Sequence, residues 1–205
     1  MMVRNPITAL GLAMLLGGCY LNSTFQTAEV TEPGAARAGV AVSLRGGPRF
    51  EMPARVGIVR NFDLGVKYGL IDHLLIDGKY QILHDPVDMS MSIGLSYDRV
   101  KSGDKETERR ENSFGFFPTV IVGQTGTEAG WYAGFRGLYL STAGTEELIR
   151  DKTLFGTSGW VGQGIVLGGF IHGSWIRFLT EVNVLLGRNG QSIVVPTVGF
   201  QFAVD

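Results

Sequence analysis

His172-Gly173-Ser174, with Glu181 shortly after, brings a hydroxyl, an imidazole and a carboxylate close together along the chain. Those are the parts of an acyl transfer: the serine attacks, the histidine takes its proton, and the acid orients the imidazole. A second group implies different chemistry. Arg37, Arg45, Asp63, Lys67, Asp77, Lys79, Asp98, Arg136, Arg177 and Glu181 punctuate runs of apolar residues, most of them at alternate positions. Charges of both signs on one face of a sheet must pair, because an isolated buried charge costs several kcal/mol. Cys19 is the only cysteine, so an intrachain disulfide is excluded. His73 and His84 have no second ligand at metal spacing, so no metal is expected. Gly162, Gly164, Gly168 and Gly169 lack the strand–loop–helix setting of a phosphate cradle, and no cofactor is expected.

The elements that carry these residues are strands. In Phe62–Leu83, Phe62, Leu64, Val66, Tyr68 and Leu70 alternate with Asp63, Gly65, Lys67 and Gly69. After Ile71-Asp72-His73 the pattern resumes, with Leu74, Ile76, Gly78, Tyr80 and Ile82 against Asp77, Lys79 and Gln81. Period two puts alternate side chains on opposite faces, and two such runs across a short break form a hairpin. One face is greasy and the other charged, the dyad of a strand set between lipid and a polar lumen. Similar runs recur at 37–44, 54–59, 89–98, 114–123, 131–140, 160–171, 175–186 and 193–204. Pro118 interrupts one of them, so a bulge is expected there. Lys101–Asn112 and Ser141–Gly156 are polar and read as long loops, with room for a short helical turn in Thr145–Lys152. Trp131, Trp160, Trp175, Tyr68, Tyr80, Tyr97 and Tyr139 stand near strand ends, where a membrane protein carries its aromatic girdles.

With 205 residues the chain is most simply one domain. A net charge of −1 and the lack of a basic cluster exclude a nucleic-acid partner. Hydrophobic content of 44% is ordinary for a soluble protein and by itself announces no membrane protein, whereas 30 glycines, many inside the alternating runs, suit curved strands. Arg4 and the apolar stretch Ile7–Leu16 make a signal peptide, too short to span a bilayer as a helix. Leu16-Gly17-Gly18-Cys19 resembles the bacterial lipobox, in which the cysteine becomes the acylated first residue of the mature chain. Tyr20 rather than an aspartate after the cysteine implies, by that resemblance, sorting to the outer membrane. The division expected is a leader at 1–18, a lipid-anchored tether at 19–36 and a barrel at 37–205.

The run Val66-Lys67-Tyr68-Gly69-Leu70-Ile71-Asp72-His73, followed by Asp77-Gly78-Lys79-Tyr80, resembles the "R-Y-G-L-T-D-R … D-x-K-Y" hairpins of small bacterial outer-membrane β-barrel proteins. Phe200-Gln201-Phe202 is similar to their aromatic last strand, although this chain continues to Asp205. The resemblance implies an all-β, antiparallel up-and-down transmembrane barrel of about ten strands, between eight and twelve. The Lys101–Asn112 and Ser141–Gly156 loops then share the outer side, and the shorter breaks share the tether's side.

The function expected is an outer-membrane lipoprotein barrel, acylated at Cys19 and non-catalytic. It would present its outer loops or dock another envelope protein, with membrane lipid as its other partner. The ten charged residues would form a salt-bridged lumen network. Two readings compete. The His172/Ser174/Glu181 set resembles the site of outer-membrane lipid A deacylases, which would make the chain an envelope-lipid-modifying enzyme. A soluble, lipid-tethered, lipocalin-like carrier would turn the greasy face inward, and alternation alone is mute on which face that is.

Overall fold

The computed structural model describes residues 24–44, 48–69, 73–102, 109–125, 128–142, 159–187 and 192–204. The alternating runs form ten strands: β1 (Ala36–Leu44), β2 (Pro48–Val59), β3 (Phe62–Gly69), β4 (His73–Leu83), β5 (Asp88–Ser102), β6 (Arg109–Thr125), β7 (Ala129–Thr142), β8 (Gly159–His172), β9 (Ile176–Gly187) and β10 (Ser192–Val204). Each pairs antiparallel with the next, and β1 pairs with β10, from Ala36 opposite Val204 to Ser43 opposite Thr197. The sheet closes into an up-and-down barrel with no free edge.

The faces sort by polarity. On β3 and β4, Leu64, Val66, Tyr68, Ile76 and Tyr80 point outward and are exposed, while Asp63, Lys67, Asp77 and Lys79 point inward and are buried. The apolar belt continues round the barrel through Ile93, Leu95, Phe135, Ile165, Leu167, Val194 and Phe200. A lipocalin-like carrier needs the opposite arrangement, so that reading is overturned. The interior itself has two halves. β2 to β5 contribute mainly polar groups, Glu51, Asp63, Lys67, Asp77, Lys79, Ser90, Ser92 and Ser96, whereas β6 to β9 set Ile121, Tyr132, Val166, Phe170 and Leu179 beside Thr119, Arg136, Arg177, Glu181 and Asn183.

Strand direction puts Ala36 and Val204 at one end of the barrel, together with the connections 60–61, 84–87, 126–128 and 173–175. Leu44, Pro48, Gly69, His73, Ser102, Arg109, Thr142, Gly159, Gly187 and Ser192 end their strands at the other end. Three boundaries differ from expectation. β2 begins at Pro48 rather than Ala54, because Phe50 and Met52 extend its outward row. β5 and β6 run on through much of the charged stretch and pair as far as Ser102 opposite Arg109, so only 103–108 separates them. Pro118 carries no bulge: Phe116 pairs with Tyr139 and Thr119 with Arg136 in unchanged register, and only the intervening rungs are lost. The register shifts fall instead at Gly57/Val59, Gln81/Leu83 and Leu138/Tyr139. Arg45 and the Thr145–Lys152 turn lie outside the described residues.

Candidate functional site

The part of the chain expected to be a tether is, from Thr24 to Thr31, inside the barrel, and Glu32 to Gly34 emerge exposed beside Gly57. Phe25, Ala28, Val30 and Thr31 are buried there. Ten strands enclose slightly more space than their own side chains fill, and this segment occupies it. Phe25 and Ala28 pack with Ala41, Ile121, Tyr132, Val166, Phe170 and Leu179 on the wall. Apart from a single bridge between Pro33 and Gly57, the segment joins no sheet. Its backbone polar groups therefore need side-chain partners, and the charged lumen residues supply them.

Glu181 accepts the backbone N–H groups of Thr24 and Phe25, each at 2.7 Å, one on each carboxylate oxygen. The Tyr132 hydroxyl donates to the same carboxylate at 3.0 Å, and the Asn183 amide also donates to it. Lys67 donates to the Thr24 carbonyl at 3.1 Å, and Lys79 donates to the carbonyls of Thr27 and Glu29. Asp63 accepts the Thr31 N–H at 2.8 Å. Phe25 sits at φ +42°, an uncommon conformation for a side-chain-bearing residue. It is held from both sides, with Glu181 on its N–H and Gln201 donating to its carbonyl at 3.4 Å.

The same side chains pair among themselves. Arg55 bridges Asp63 at 2.6 Å and Asp77 at 2.7 Å, and also donates to the Gln26 side-chain amide oxygen at 2.9 Å. Lys79 lies 3.5 Å from Asp63, and Lys67 lies 3.5 Å from Glu51. At the end holding the barrel's termini, Glu29 receives both Arg37 and Arg177 at 3.2 Å. Burial pushes the Glu29 carboxyl up, but the two guanidinium groups more than offset this and hold it below its ordinary value. Arg136 and Arg177 each stack on a phenylalanine, Phe117 and Phe170, at 4.5 Å. A cavity of ≈ 20 Å³ among Thr24, Gln26, Lys67, Asp77, Ser92 and Arg136 has room for about one water.

Of the ten charged residues anticipated for the lumen, Asp63, Lys67, Asp77, Lys79, Arg136, Arg177 and Glu181 are buried inside it, and Arg37 is half-buried against Glu29. Asp98 lies on β5 opposite His73 and Ser113, and its side chain is outside the described residues, as is Cys19. Sequence reasoning missed Glu29, Glu51, Arg55, Tyr132 and Asn183. Arg55 was legible, since it alternates with Ala54 and Val56. Glu29 was not, because nothing periodic marks its surroundings.

The structure does not assemble His172, Ser174 and Glu181 into a catalytic set. Ser174 is exposed in the turn after β8, and Nδ1 of His172 faces the Arg177 guanidinium at 3.2 Å. His172 pairs across the sheet with Arg177, and Glu181 lies four residues further along β9, roughly 13 Å away at strand rise. Its carboxylate is engaged by Thr24, Phe25, Tyr132 and Asn183. His84 is exposed and pairs with Asp88 at 2.9 Å, whereas His73 is buried at the far end of the lumen. Gly164, Gly168 and Gly169 are strand residues of β8. Gly168 leaves room for the Tyr132 ring, which a Cβ would meet at 2.1 Å.

No family model and no curated protein matches the chain. Among solved structures, the N-terminal β-barrel domain of Pseudomonas aeruginosa OprF is similar at 9% identity and TM-score 0.44, over 85% of this chain and 100% of that one. The KdgM porin is similar at 10% identity and TM-score 0.45, over 82% and 99%. The NanC porin is similar at 14% identity and TM-score 0.40, over 82% and 99%. Likenesses at this level transfer neither substrate nor activity.

Proposed function

We propose that this chain is a plugged, non-conducting β-barrel of the bacterial outer membrane, acylated at Cys19 once residues 1–18 are removed. Its work is to hold the segments at one barrel mouth as a docking surface for another envelope component, and it performs no catalysis. The observation that supports this most is the outer surface. A closed ring of side chains such as Leu64, Ile76, Ile93, Leu95 and Leu167 faces outward over charges sealed within. An apolar belt of that extent is unfavourable in water and is what hydrocarbon accommodates. Aromatic residues flank it: Trp131, Trp175 and Tyr80 lie towards the end with the termini, Tyr68 and Tyr139 towards the other, and all are exposed. Trp175 stacks on Phe202 at 6.0 Å. Such rings suit the two membrane–water interfaces.

The test combines two readouts. The protein should fractionate with outer membranes, require detergent for solubility, and migrate differently on gels before and after heating. Cys19→Ser should lose incorporation of labelled palmitate yet stay in the membrane, because the barrel alone holds it there. A Cys19→Ser protein soluble in buffer without detergent would refute the membrane-spanning reading.

A further inference from the structure

The segment in the lumen has a direction. β3 and β9 both run from the end that holds Ala36 and Val204 towards the end at which Gly69 and Gly187 close their strands. On β3, Asp63 binds the N–H of Thr31, and Lys67, four residues higher, binds the carbonyl of Thr24. On β9, Arg177 meets Glu29, Glu181 meets the N–H groups of Thr24 and Phe25, and Asn183 receives the Thr24 hydroxyl at 3.3 Å. Two independent strands thus record one climb as the residue number falls. Gly34 and Ala35, at its foot, pair with Gly57 beside the termini. Below Thr24 the segment packs against Phe170, Leu179 and Tyr132.

We infer that the chain before Thr24 leaves the barrel through the opposite mouth, the one at which Leu44, Gly69, Ser102, Thr142 and Gly187 end their strands. The amino end, and an acyl group on Cys19, then lie on the cell-surface side of the membrane, across the bilayer from the barrel's own termini. The reach is sufficient. Above Asn183, β9 has four more residues to Gly187, about 13 Å of strand, and the five residues from Thr24 back to Cys19 extend to at most about 18 Å. The acyl chains would enter the outer leaflet, and the lumen would be sealed by a segment fastened at both ends. This rests on the outer-membrane reading above, and the rival arrangement is a segment withdrawn from the lumen that anchors in the near leaflet.

Three added-cysteine reporters, each retaining Cys19, separate these possibilities: Asn22→Cys before the segment, Thr145→Cys between β7 and β8, and Arg60→Cys in the turn beside the termini. Each is exposed on cells to a polyethylene-glycol maleimide too large to cross the outer membrane, before and after permeabilisation, with the parent chain reporting any labelling of Cys19. Heat-modifiable mobility certifies that each variant is folded. Asn22→Cys and Thr145→Cys should be labelled on intact cells, and Arg60→Cys only after permeabilisation. Labelling of Asn22→Cys only together with Arg60→Cys, while Thr145→Cys reacts on intact cells, overturns the threading and leaves the membrane reading standing. Failure of Thr145→Cys to react on intact cells refutes the outer-membrane placement, and the inference falls with it. An epitope inserted after Asn22 gives a second readout, and antibody binding to intact cells is the expected result.

Discussion

Lys79 is 1% exposed, and its ammonium group touches the carbonyls of Thr27 and Glu29 and lies 3.5 Å from Asp63. Without Lys79, Asp63 keeps Arg55 as its partner, but the buried carbonyls of Thr27 and Glu29 lose their donor, a loss of about 1–3 kcal/mol. Lys79→Met should therefore lower the unfolding free energy, read from urea titration in detergent micelles, by that order. Lys79→Met/Asp63→Asn should cost less than the two single changes summed, since the partners are coupled; simple additivity would show that the pair is not a unit. Glu29 makes a pH prediction. A carboxyl held below its ordinary 4.5 contributes stability that is complete above that value and lost as pH falls through the folded-state value. Wild type should exceed Glu29→Gln in unfolding midpoint at neutral pH, and the gap should shrink as the pH drops below 4.5. A gap independent of pH would remove Arg37 and Arg177 as its source.

At the scale of elements, the internal segment and the wall depend on each other at Gly57. A Cβ there would lie 1.9 Å from the Glu32 carbonyl oxygen, a backbone atom with little freedom to move. Gly57 faces inward from β2, opposite Asp63 on β3, so Gly57→Ala can spare the sheet while displacing Glu32 and the chain beyond it. In planar bilayers the wild type should show no steady conductance. Gly57→Ala should show intermittent openings, and deletion of 24–35 a persistent channel lined by Lys67, Lys79, Arg136 and Glu181. A deletion variant as silent as the parent would mean that side chains alone close the lumen.

The whole molecule is a charged interior wrapped in an apolar exterior, and its stability depends on the solvent outside. Leu64 is 42% exposed on the outward face of β3. In a bilayer, Leu64→Arg should cost about 2–4 kcal/mol if the residue sits near the midplane, read as a shift in the folding midpoint in lipid vesicles. On a water-facing surface the same change stays within about ±0.5 kcal/mol, and that result would place the belt in water. The turn residue Arg60, exposed beside the termini, is the control, and its replacement by alanine should leave the midpoint unchanged.

Much of this was legible from period two alone. The rows Leu64/Val66/Tyr68 and Asp63/Lys67 state strands with two unlike faces, and the parity of ten such runs puts the long connections together at one end. Strand ends were less legible where outward rows continue through unpromising residues, as at Pro48–Pro53 in β2 or Arg109–Ser113 in β6. Alternation is unchanged when inside and outside are exchanged, so no local pattern could decide that Leu64 faces out and Lys67 in. The tertiary structure decided it: β1 meets β10 to enclose an interior, and the charged row turns into it, where the segment from Thr24 to Thr31 supplies its partners. The fate of Thr24–Ala35 was likewise settled only in three dimensions. Its sequence is aperiodic because its partners are Glu181, Lys67, Lys79 and Asp63, drawn from three different strands, and a segment whose contacts are all remote leaves no repeat in its own residues.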